Sequence, residues 1–361
     1  MADTVPSVYV QLDYQALKHN ARRLRQQAPD AKLLAVVKAD AYGHGMTESA
    51  KALADEVDAF AVARVEEGVA LRETGCRRRI VVLAGFANAE QLRECQSFKL
   101  EAVLHCPEQV HWLAAHGGEQ PLPVWIKLDT GMNRLGFRPE QLSEVYAQLR
   151  TLSRIARPIH LMTHLACADD PTDAMTQRQL ACFARARAQV AGECCIANSA
   201  AVLTWPDAYS DWLRPGLMLY GISPFPGQTG LELGLKPVMR LLARIIAIKP
   251  VYPGETVGYG GIWRCQKATR MAVVGIGYGD GYPREIAAHT PVWVAGRQVP
   301  IIGRVSMDML TVDVSDCADA RVGSEVVLWG GELPVERIAE AAGTIPYTLV
   351  CGLTRRVKRR G

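Results

Sequence analysis

The chain has 361 residues, of which 49% are hydrophobic and 22% charged, and its formal net charge at pH 7 is +4. This length and composition predict an ordinary water-soluble globular protein with about two domains, and the small net charge argues against nucleic-acid binding. The only basic cluster, at residues 355–360, is interpreted as a solvated chain end. Neither a signal peptide nor an apolar run of about eighteen residues stands out, so we expect no secretion and no membrane span.

Cysteine usage points to the compartment in which the protein works. Ten cysteines are scattered along the chain without a C-x-x-C pair. Cys194 and Cys195 are adjacent and cannot easily pair with each other. This usage favours a reducing cytoplasm and no structural zinc, and we expect no metal site.

The first part of the chain alternates short apolar runs with helix-type patterns. The strand candidates are residues 32–37, 59–63, 80–83, 102–105, 124–128, 160–164, 194–197 and 212–214. Helix patterns between them include residues 66–73, 89–96, 139–152 and 176–190. Eight strands that alternate with helices favour a (β/α)8 TIM-type barrel over an open doubly wound sheet, so we predict an α/β fold with this barrel in residues 1–235.

After about residue 236 the pattern becomes that of a mostly β domain, which we place at residues 236–361. Apolar runs at residues 239–248, 271–278, 291–294, 298–302, 309–314 and 325–328 are separated by Gly- and Pro-rich turns, with one helix pattern at 335–342. The Pro- and Gly-rich segment 224–234 is the expected hinge. Residues 8–13 precede the barrel and could pair with the sheet of this second domain.

Lys38 ends the first predicted barrel strand, in the run LLAVVKADAYGHG at residues 33–45. A lysine at the mouth of a buried strand is desolvated, which lowers its pKa and frees the amine to act as a nucleophile or a base. On the local string alone, a solvated lysine that caps a strand fits equally well. The rest of the chain has to decide between these two interpretations.

Polar residues also follow the other strands, and in a barrel the carboxyl ends of all strands meet at one face. Those predicted to join Lys38 there are Tyr42, Lys127, Arg134, Thr163, His164, Asn198, Ser199, Arg214, Gly216 and Leu217. Barrels commonly bind phosphate with the loops after strands seven and eight, although Asn198 and Ser199 also suit an ordinary helix N-cap. A phosphate-bearing cofactor beside an activated lysine suggests pyridoxal 5'-phosphate, held as a Schiff base.

Seven motifs together resemble the signatures of the bacterial alanine racemase family, in the family's order. They are AVVKADAYGHG at 35–45, KLDTGMNRLG at 127–136, ANSA at 197–200, LRPG at 213–216, VGYG at 257–260, GYGDG at 277–281 and VSMD at 305–308. The resemblance runs from about residue 8 to residue 357. Seven ordered motifs across two domains are a far stronger signal than any one of them.

The resemblance implies a pyridoxal-phosphate-dependent enzyme that interconverts L-alanine and D-alanine with two bases on opposite faces of the substrate. Lys38 would be the cofactor lysine and the first base, and Tyr259 the second. His164 would lie against the cofactor ring and bond to Arg214, which would face the pyridine nitrogen. Because a guanidinium does not release its proton, that nitrogen would stay unprotonated and the ring would be a weaker electron sink.

The resemblance also implies a substrate site and a homodimer with shared active sites. Arg134 would bind the substrate carboxylate with help from the backbone of Met307, and Lys127 would carry a carbamate that orients this arginine. The phosphate and site-lining residues implied in the same way are Tyr42, Asn198, Ser199, Gly216, Leu217, Tyr347, Tyr278 and Arg284. Each site would join one barrel to the partner's β domain.

Three other functions remain open at this point. A broad-specificity amino-acid racemase and a basic amino-acid decarboxylase share the predicted architecture, and a pyridoxal-phosphate carrier could use a barrel alone. Arg214 and Tyr259 argue against the decarboxylase, since those enzymes typically place a carboxylate at the pyridine nitrogen. Whether D-alanine is made for peptidoglycan or degraded does not follow from the residues, because both roles use the same site.

Overall fold

A closed ring of eight parallel strands forms the first architectural unit in the computed structural model of the chain, which describes residues 7–116 and 120–361. Strand β1 (Val8–Leu12) precedes the ring. The ring strands are β2 (Lys32–Val36), β3 (Ala59–Val62), β4 (Arg79–Val82), β5 (Glu101–Leu104), β6 (Val124–Lys127), β7 (His160–Met162), β8 (Cys194–Cys195) and β9 (Trp212–Leu213). Each strand pairs with the next, and β9 closes the ring on β2.

Helices surround this barrel and bury their apolar faces against it. They are Tyr14–Gln27, Met46–Leu53, Val65–Glu73, Ala89–Ser97, Pro107–His116, Leu142–Thr151, Met175–Arg187 and Ser199–Thr204, with 3-10 turns at Pro139–Gln141, Pro206–Ala208 and Leu217–Tyr220. The first begins at Asp13, whose carboxylate accepts the backbone N–H groups of Gln15 and Ala16, both at 2.9 Å. The strands are almost fully apolar because both of their faces are covered.

The remainder of the chain forms a mostly β unit. Its strands are β10 (Met239–Val251), β11 (Thr256–Val257), β12 (Trp263–Arg264), β13 (Thr269–Val274), β14 (Pro291–Val294), β15 (Arg297–Pro300), β16 (Leu310–Asp313), β17 (Glu325–Trp329) and β18 (Lys358–Arg360). Two helices, Val335–Ala341 and Pro346–Cys351, and two 3-10 turns, Tyr259–Gly261 and Tyr278–Asp280, accompany them. The prediction of a TIM-type barrel followed by a mostly β domain is therefore confirmed.

The first and last strands of the described residues, β1 and β18, lie in the sheet of this second unit. Strand β1 pairs antiparallel with β10, from Val8 opposite Ala243 to Leu12 opposite Met239. On its other side β1 pairs in parallel with β18. Four of the five basic residues at 355–360 are exposed, in line with a solvated end, but Lys358–Arg360 forms a strand and Val357 is buried, so this segment is also ordered. The division between residues 235 and 236 and the hinge at 224–234 stay predictions.

Two features of the described residues bear on membrane and metal binding. Within residues 7–116 and 120–361, no helix is long and apolar enough to cross a bilayer. In the same part of the chain, no group of three or more His, Cys, Asp or Glu residues is placed to hold a metal ion.

The amino-terminal end of the barrel is closed by a partly buried polar cluster at the start of several strands. The Arg79 guanidinium donates to both carboxylate oxygens of Glu101, at 2.5 and 3.0 Å, and the Trp125 indole N–H donates to the same carboxylate at 2.8 Å. Arg79 also lies over the ring of Trp212, 4.8 Å from its centroid, and that indole donates to Glu193. Because these groups satisfy one another, a charged cluster can seal the end opposite Lys38.

Replacing Glu101 with Leu should lower the free energy of unfolding by about 2 kcal/mol, because Arg79 and the Trp125 indole lose their acceptor at nearly constant side-chain volume. Chemical denaturation followed by circular dichroism measures this loss. Glu90→Gln, at an exposed position of the helix Ala89–Ser97, is the matched control and should change stability by less than about 0.5 kcal/mol. Equal stability of the two variants would contradict the sealing role of Glu101.

Candidate active site

The segment directly after Lys38 is one turn of left-handed helix. Residues 39–42, none of them glycine, all have φ between 51° and 55°. This region costs roughly 1–2 kcal/mol per residue, so the turn persists only where its surroundings hold it. One such contact comes from the helix Val65–Glu73, where the Glu67 carboxylate accepts the backbone N–H of Ala39 at 2.7 Å. The turn places Lys38 at the carboxyl end of β2.

His44 holds the same turn from inside the fold. Its Nδ1 lies 3.0 Å from the carbonyl of Ala41 and 2.9 Å from that of Tyr42. Carbonyls only accept, so Nδ1 carries the proton and donates to both. The ring stacks on Tyr220 at 4.5 Å and is completely buried, and this burial lowers the pKa of His44 to about 4. His44 is therefore neutral and stabilises the turn through these two hydrogen bonds.

One cavity of about 790 Å³ opens at the carboxyl ends of the barrel strands. It brings together most of the residues that the sequence singled out. The predicted residues that line it are Lys38, Tyr42, Lys127, Arg134, His164, Asn198, Ser199, Arg214, Gly216, Leu217 and Tyr347. Tyr347 comes from the helix Pro346–Cys351, so the mostly β unit contributes to the wall of this cavity.

The cavity is strongly cationic. Burial, reinforced by the charges of Arg214 and Arg134, lowers the pKa of Lys38. The same causes, with Lys38 as a further neighbour, lower the pKa of Lys127 to about 8. Two lysines with lowered pKa values beside two arginines favour an anionic ligand, because a negative charge would relieve the repulsion among these side chains.

Arg214 and His164 form a hydrogen-bonded pair in this cavity. Arg214 Nη1 lies 3.0 Å from His164 Nδ1, and Nη2 donates to the carbonyl of Thr163 at 2.8 Å. Burial and the charge of Arg214 hold the pKa of His164 well below its usual range, so the imidazole is neutral and Nδ1 accepts. The buried Nε of Arg214 has no partner among the described residues, which leaves one strong donor for a ligand acceptor.

A second donor group forms where the loops after β8 and β9 meet. Ser199 Oγ accepts the backbone N–H of Gly216 at 2.9 Å. A Cβ on Gly216 would lie 2.6 Å from the Tyr42 hydroxyl, so this position requires the bare backbone. Burial raises the pKa of both Tyr42 and Tyr347, which keeps both phenols neutral and able to donate. Asn198 acts as the N-cap of the helix Ser199–Thr204 and accepts from Ala201 at 3.0 Å.

Five residues predicted for the same site do not line this cavity, namely Thr163, Tyr259, Tyr278, Arg284 and Met307. Tyr259, Tyr278 and Met307 are 70%, 40% and 53% exposed on the mostly β unit. Tyr278 and Met307 lie on adjoining loops, since the N–H of Gly279, which follows Tyr278, donates to the Met307 carbonyl at 2.8 Å. Arg284, which was expected to line the site, also lies outside the cavity and pairs with its neighbour Glu285.

The structure adds a wall that sequence reasoning missed. Residues 223–229 and the segment around the helix Val335–Ala341 line the outer part of the cavity. Glu336 joins them, because its carboxylate accepts the backbone N–H groups of Ser223 at 2.9 Å and Gly230 at 2.7 Å. The Pro- and Gly-rich composition of 224–234 was the only available signal, and it predicted a hinge rather than a cavity wall.

Comparison with known proteins gives one consistent family. The family models for the alanine racemase N-terminal and C-terminal domains match residues 12–224 and 238–361. An alanine racemase of Shewanella woodyi is 48% identical over 98% of each chain, and one of Vibrio parahaemolyticus is 46% identical over 96% of this chain and 97% of its own.

Solved structures agree with these sequence relatives. The biosynthetic alanine racemase from Pseudomonas aeruginosa superposes with a TM-score of 0.95 at 44% identity, over 99% of each chain. The alanine racemase from Bartonella henselae, solved with covalently bound pyridoxal phosphate, has a TM-score of 0.89 at 30% identity over 99% of each chain.

Stability should depend on pH through His44. The unfolded chain takes up a proton near pH 6.5, whereas the folded chain does so only near pH 4. The contribution of neutral His44 is therefore complete above about pH 6.5 and is lost as the pH falls toward about 4, by up to about 3 kcal/mol. Denaturant unfolding between pH 4 and pH 7 measures this loss.

Two variants isolate the contribution of His44. His44→Asn keeps a donor near the Nδ1 position but does not titrate, so its stability should fall less steeply over the same pH window. His111→Asn, at an exposed position, should reproduce the curve of the unchanged protein. If the stability of His44→Asn falls as steeply as that of the unchanged protein, His44 is not the titrating group.

Proposed function

This chain belongs to the alanine racemase family, and from that premise we propose that it interconverts L-alanine and D-alanine with two bases. The enzyme is a pyridoxal-phosphate-dependent amino-acid racemase. The observation that carries the proposal is the cavity itself, where Lys38 has a lowered pKa among cationic side chains. A basic amino-acid decarboxylase is not favoured, since the relatives named above are all alanine racemases.

The donors present fit pyridoxal 5'-phosphate. Lys38 would hold it covalently, and Arg214, with its unpartnered Nε, would face its ring nitrogen beside His164. The phosphate would be held by the donors around the Ser199 and Gly216 loops, namely Tyr42, Asn198, Ser199, Gly216, Leu217 and Tyr347. When bound, this cofactor supplies an electron sink that makes the Cα proton of an attached amino acid acidic.

The two bases act from opposite faces of the substrate. The lowered pKa of Lys38 increases the fraction of neutral amine, so Lys38 Nζ can take the Cα proton from one face or return it. The Tyr259 hydroxyl does the same on the other face. Inversion at Cα requires both groups, because a proton returned from the face it left restores the original enantiomer.

Arg134 binds the substrate carboxylate, and Lys127 orients Arg134 as a carbamate. With a pKa of about 8, Lys127 has an appreciable fraction of neutral amine at cellular pH. The neutral Nζ adds to the carbon of carbon dioxide and releases one proton, which gives an anionic carbamate. Starting from the protonated lysine, two protons leave and a cation is replaced by an anion. A carbamate at this position would offset the charges of Arg134 and Arg214, which now depress the pKa of Lys127.

A homodimer completes the site. Tyr259 and Met307 are exposed and lie outside the cavity of their own chain. We propose that two chains associate head to tail, so that each cavity receives these two residues from the second copy. Tyr259, Tyr278 and Met307 would then narrow the entrance to a substrate with a methyl side chain. The enzyme either supplies D-alanine for peptidoglycan synthesis or takes part in the degradation of D-alanine, and the same site suits both roles.

The activity is tested with a D-alanine assay on the cofactor-loaded enzyme. We expect D-alanine from L-alanine and little turnover of L-lysine or L-arginine. Lys38→Ala and Tyr259→Phe should each lower kcat for racemisation by at least about 100-fold, since each removes one base. Tyr252→Phe, which alters another exposed tyrosine of the same unit, should retain full activity. Release of carbon dioxide without D-alanine would overturn the assignment.

Sharing of the site between two chains is tested by complementation. Subunit exchange between Lys38→Ala and Tyr259→Phe should restore up to about a quarter of the original activity, because half of the dimers are mixed and each mixed dimer has one intact site. The control mixes Lys38→Ala with the double variant Lys38→Ala/Tyr259→Phe and should show no recovery. If exchange is proven by mass spectrometry and no activity returns, each site is built within one chain.

The carbamate is tested with ¹³C-labelled carbon dioxide. The unchanged protein should show a carbamate resonance in its ¹³C spectrum that disappears in Lys127→Ala and remains in Lys249→Ala, where an exposed lysine is removed. Lys127→Ala should also raise KM for alanine by about tenfold, because Arg134 loses its anionic partner. An intact mass without added carbon dioxide, together with a missing resonance, would contradict the modification.

A further inference from the structure

The last residues of the chain contact both the turn that follows Lys38 and the loop that carries Met307. We infer that residues 354–360, called the C-terminal strap below, position the reacting groups through two arginines. Arg359 would hold the turn that carries Lys38, and Arg356 would hold the loop that carries Met307. The inference rests on the proposed function, because it assigns these two loops to the reaction.

Arg359 joins the strap to the left-handed turn. Its Nε donates to the carbonyl of Gly43 at 3.0 Å, and its Nη2 lies 2.9 Å from the Asp40 carboxylate. The other oxygen of that carboxylate accepts the backbone N–H of Met46 at 2.7 Å. The Arg359 guanidinium therefore contacts the turn twice, at the Asp40 side chain within it and at the Gly43 backbone where it ends.

Packing around the turn and the strand pairing of Arg359 support these two contacts. A Cβ on Gly43 would lie 2.0 Å from the carbonyl oxygen of Val350, so the end of the turn already packs against the backbone of the helix Pro346–Cys351. Arg359 itself is fixed by its strand, where it pairs opposite Val10. A left-handed turn of four non-glycine residues needs such contacts, because relaxation toward ordinary backbone angles would displace Lys38.

Arg356 joins the strap to the loop that carries Met307, on the same mostly β unit as Tyr259. Its Nη2 donates to the Asp308 carboxylate at 2.7 Å, and its Nε lies 3.2 Å from the carboxylate of Asp280. The Asp280 side chain is only 4% exposed, and it also accepts the backbone N–H of Gly277 at 3.0 Å. Since Asp308 directly follows Met307, Arg356 ties the Met307 loop to a buried anchor.

The strap's backbone reinforces this tie. Thr354 N–H donates to the carbonyl of Asp280, and its hydroxyl donates to the carbonyl of Gly279, both at 3.0 Å. Gly279 N–H in turn donates to the Met307 carbonyl at 2.8 Å. The position of the Met307 backbone, which is proposed to assist substrate binding, is thus set by a chain of contacts that begins in the strap.

The two arms serve different steps and, in the proposed dimer, different sites. Arg359 acts on the Lys38 turn of its own barrel, whereas Arg356 acts on a loop delivered to the cavity of the second copy. Arg359 should therefore affect proton transfer and cofactor attachment, and Arg356 should affect substrate binding. This difference separates positioning from a general contribution to stability.

The experiment uses the cofactor-loaded full-length enzyme and four variants, each assayed for kcat, KM and cofactor absorbance. Arg356→Gln should raise KM for alanine about tenfold with kcat changed less than about twofold, and Arg356→Lys should recover part of the loss. Arg359→Gln should lower kcat about tenfold with little change in KM and should shift the absorbance of the bound cofactor. Arg355→Gln, an exposed neighbour with no ion pair among the described residues, is the control and should behave as the unchanged enzyme.

The outcomes distinguish the inference from its premise. If the unchanged enzyme racemises alanine but Arg356→Gln and Arg359→Gln match Arg355→Gln, the strap has no positioning role and the inference fails. If both variants show the same decrease in kcat and the same increase in KM, in proportion to a lower Tm, the inference also fails. If the unchanged enzyme does not racemise alanine, the proposed function fails first. Should Arg356→Gln not fold, Asp308→Asn removes the same ion pair and carries the same expectation.

Discussion

The left-handed turn after Lys38 is the constraint on which the rest of the site depends. Four consecutive non-glycine residues occupy a backbone region that costs roughly 1–2 kcal/mol each, so the fold must stabilise the turn from several directions. Glu67 holds its first amide, His44 holds its last carbonyls, and Arg359 holds its acidic side chain. These contacts come from a barrel helix, the turn's own continuation and the chain end, which explains why the site requires the complete fold.

Electrostatics give this site its chemical character. Burial, reinforced by the cationic side chains of the cavity, lowers the pKa values of Lys38 and Lys127, and burial together with the charge of Arg214 keeps His164 neutral. Without an anion such a cluster is costly, because Lys127 and Arg214 are buried and the positive charges repel one another. A phosphate, a substrate carboxylate and a carbamate are three anions that would relieve that cost. The same charges that lower the pKa of a base therefore also select the ligands.

The architecture separates the two proposed bases and connects them through the chain ends. Lys38 lies in a cavity at the barrel mouth, whereas Tyr259 lies exposed on the mostly β unit. Strand β1 pairs with both β10 and β18, so the amino-terminal strand carries the C-terminal strap at the junction of the two units. The proposed dimer would use this arrangement, because an exposed residue outside the cavity of its own chain can complete the cavity of another.

The sequence by itself determined the barrel, the mostly β second domain and most residues of the cavity. Apolar runs with helical spacing between them are local patterns, and a closed parallel barrel then places every strand end, including Lys38, Lys127 and Arg214, at one face. Only the tertiary structure decided that residues 223–229 form a cavity wall, that Lys358–Arg360 pairs as a strand, and that Tyr259 does not line the cavity that holds Lys38. These features depend on contacts between residues far apart in the chain, such as Glu336 with Ser223 and Arg359 with Asp40. No local pattern encodes such contacts, because hydrophobic spacing specifies an element but not the distant partner against which it packs.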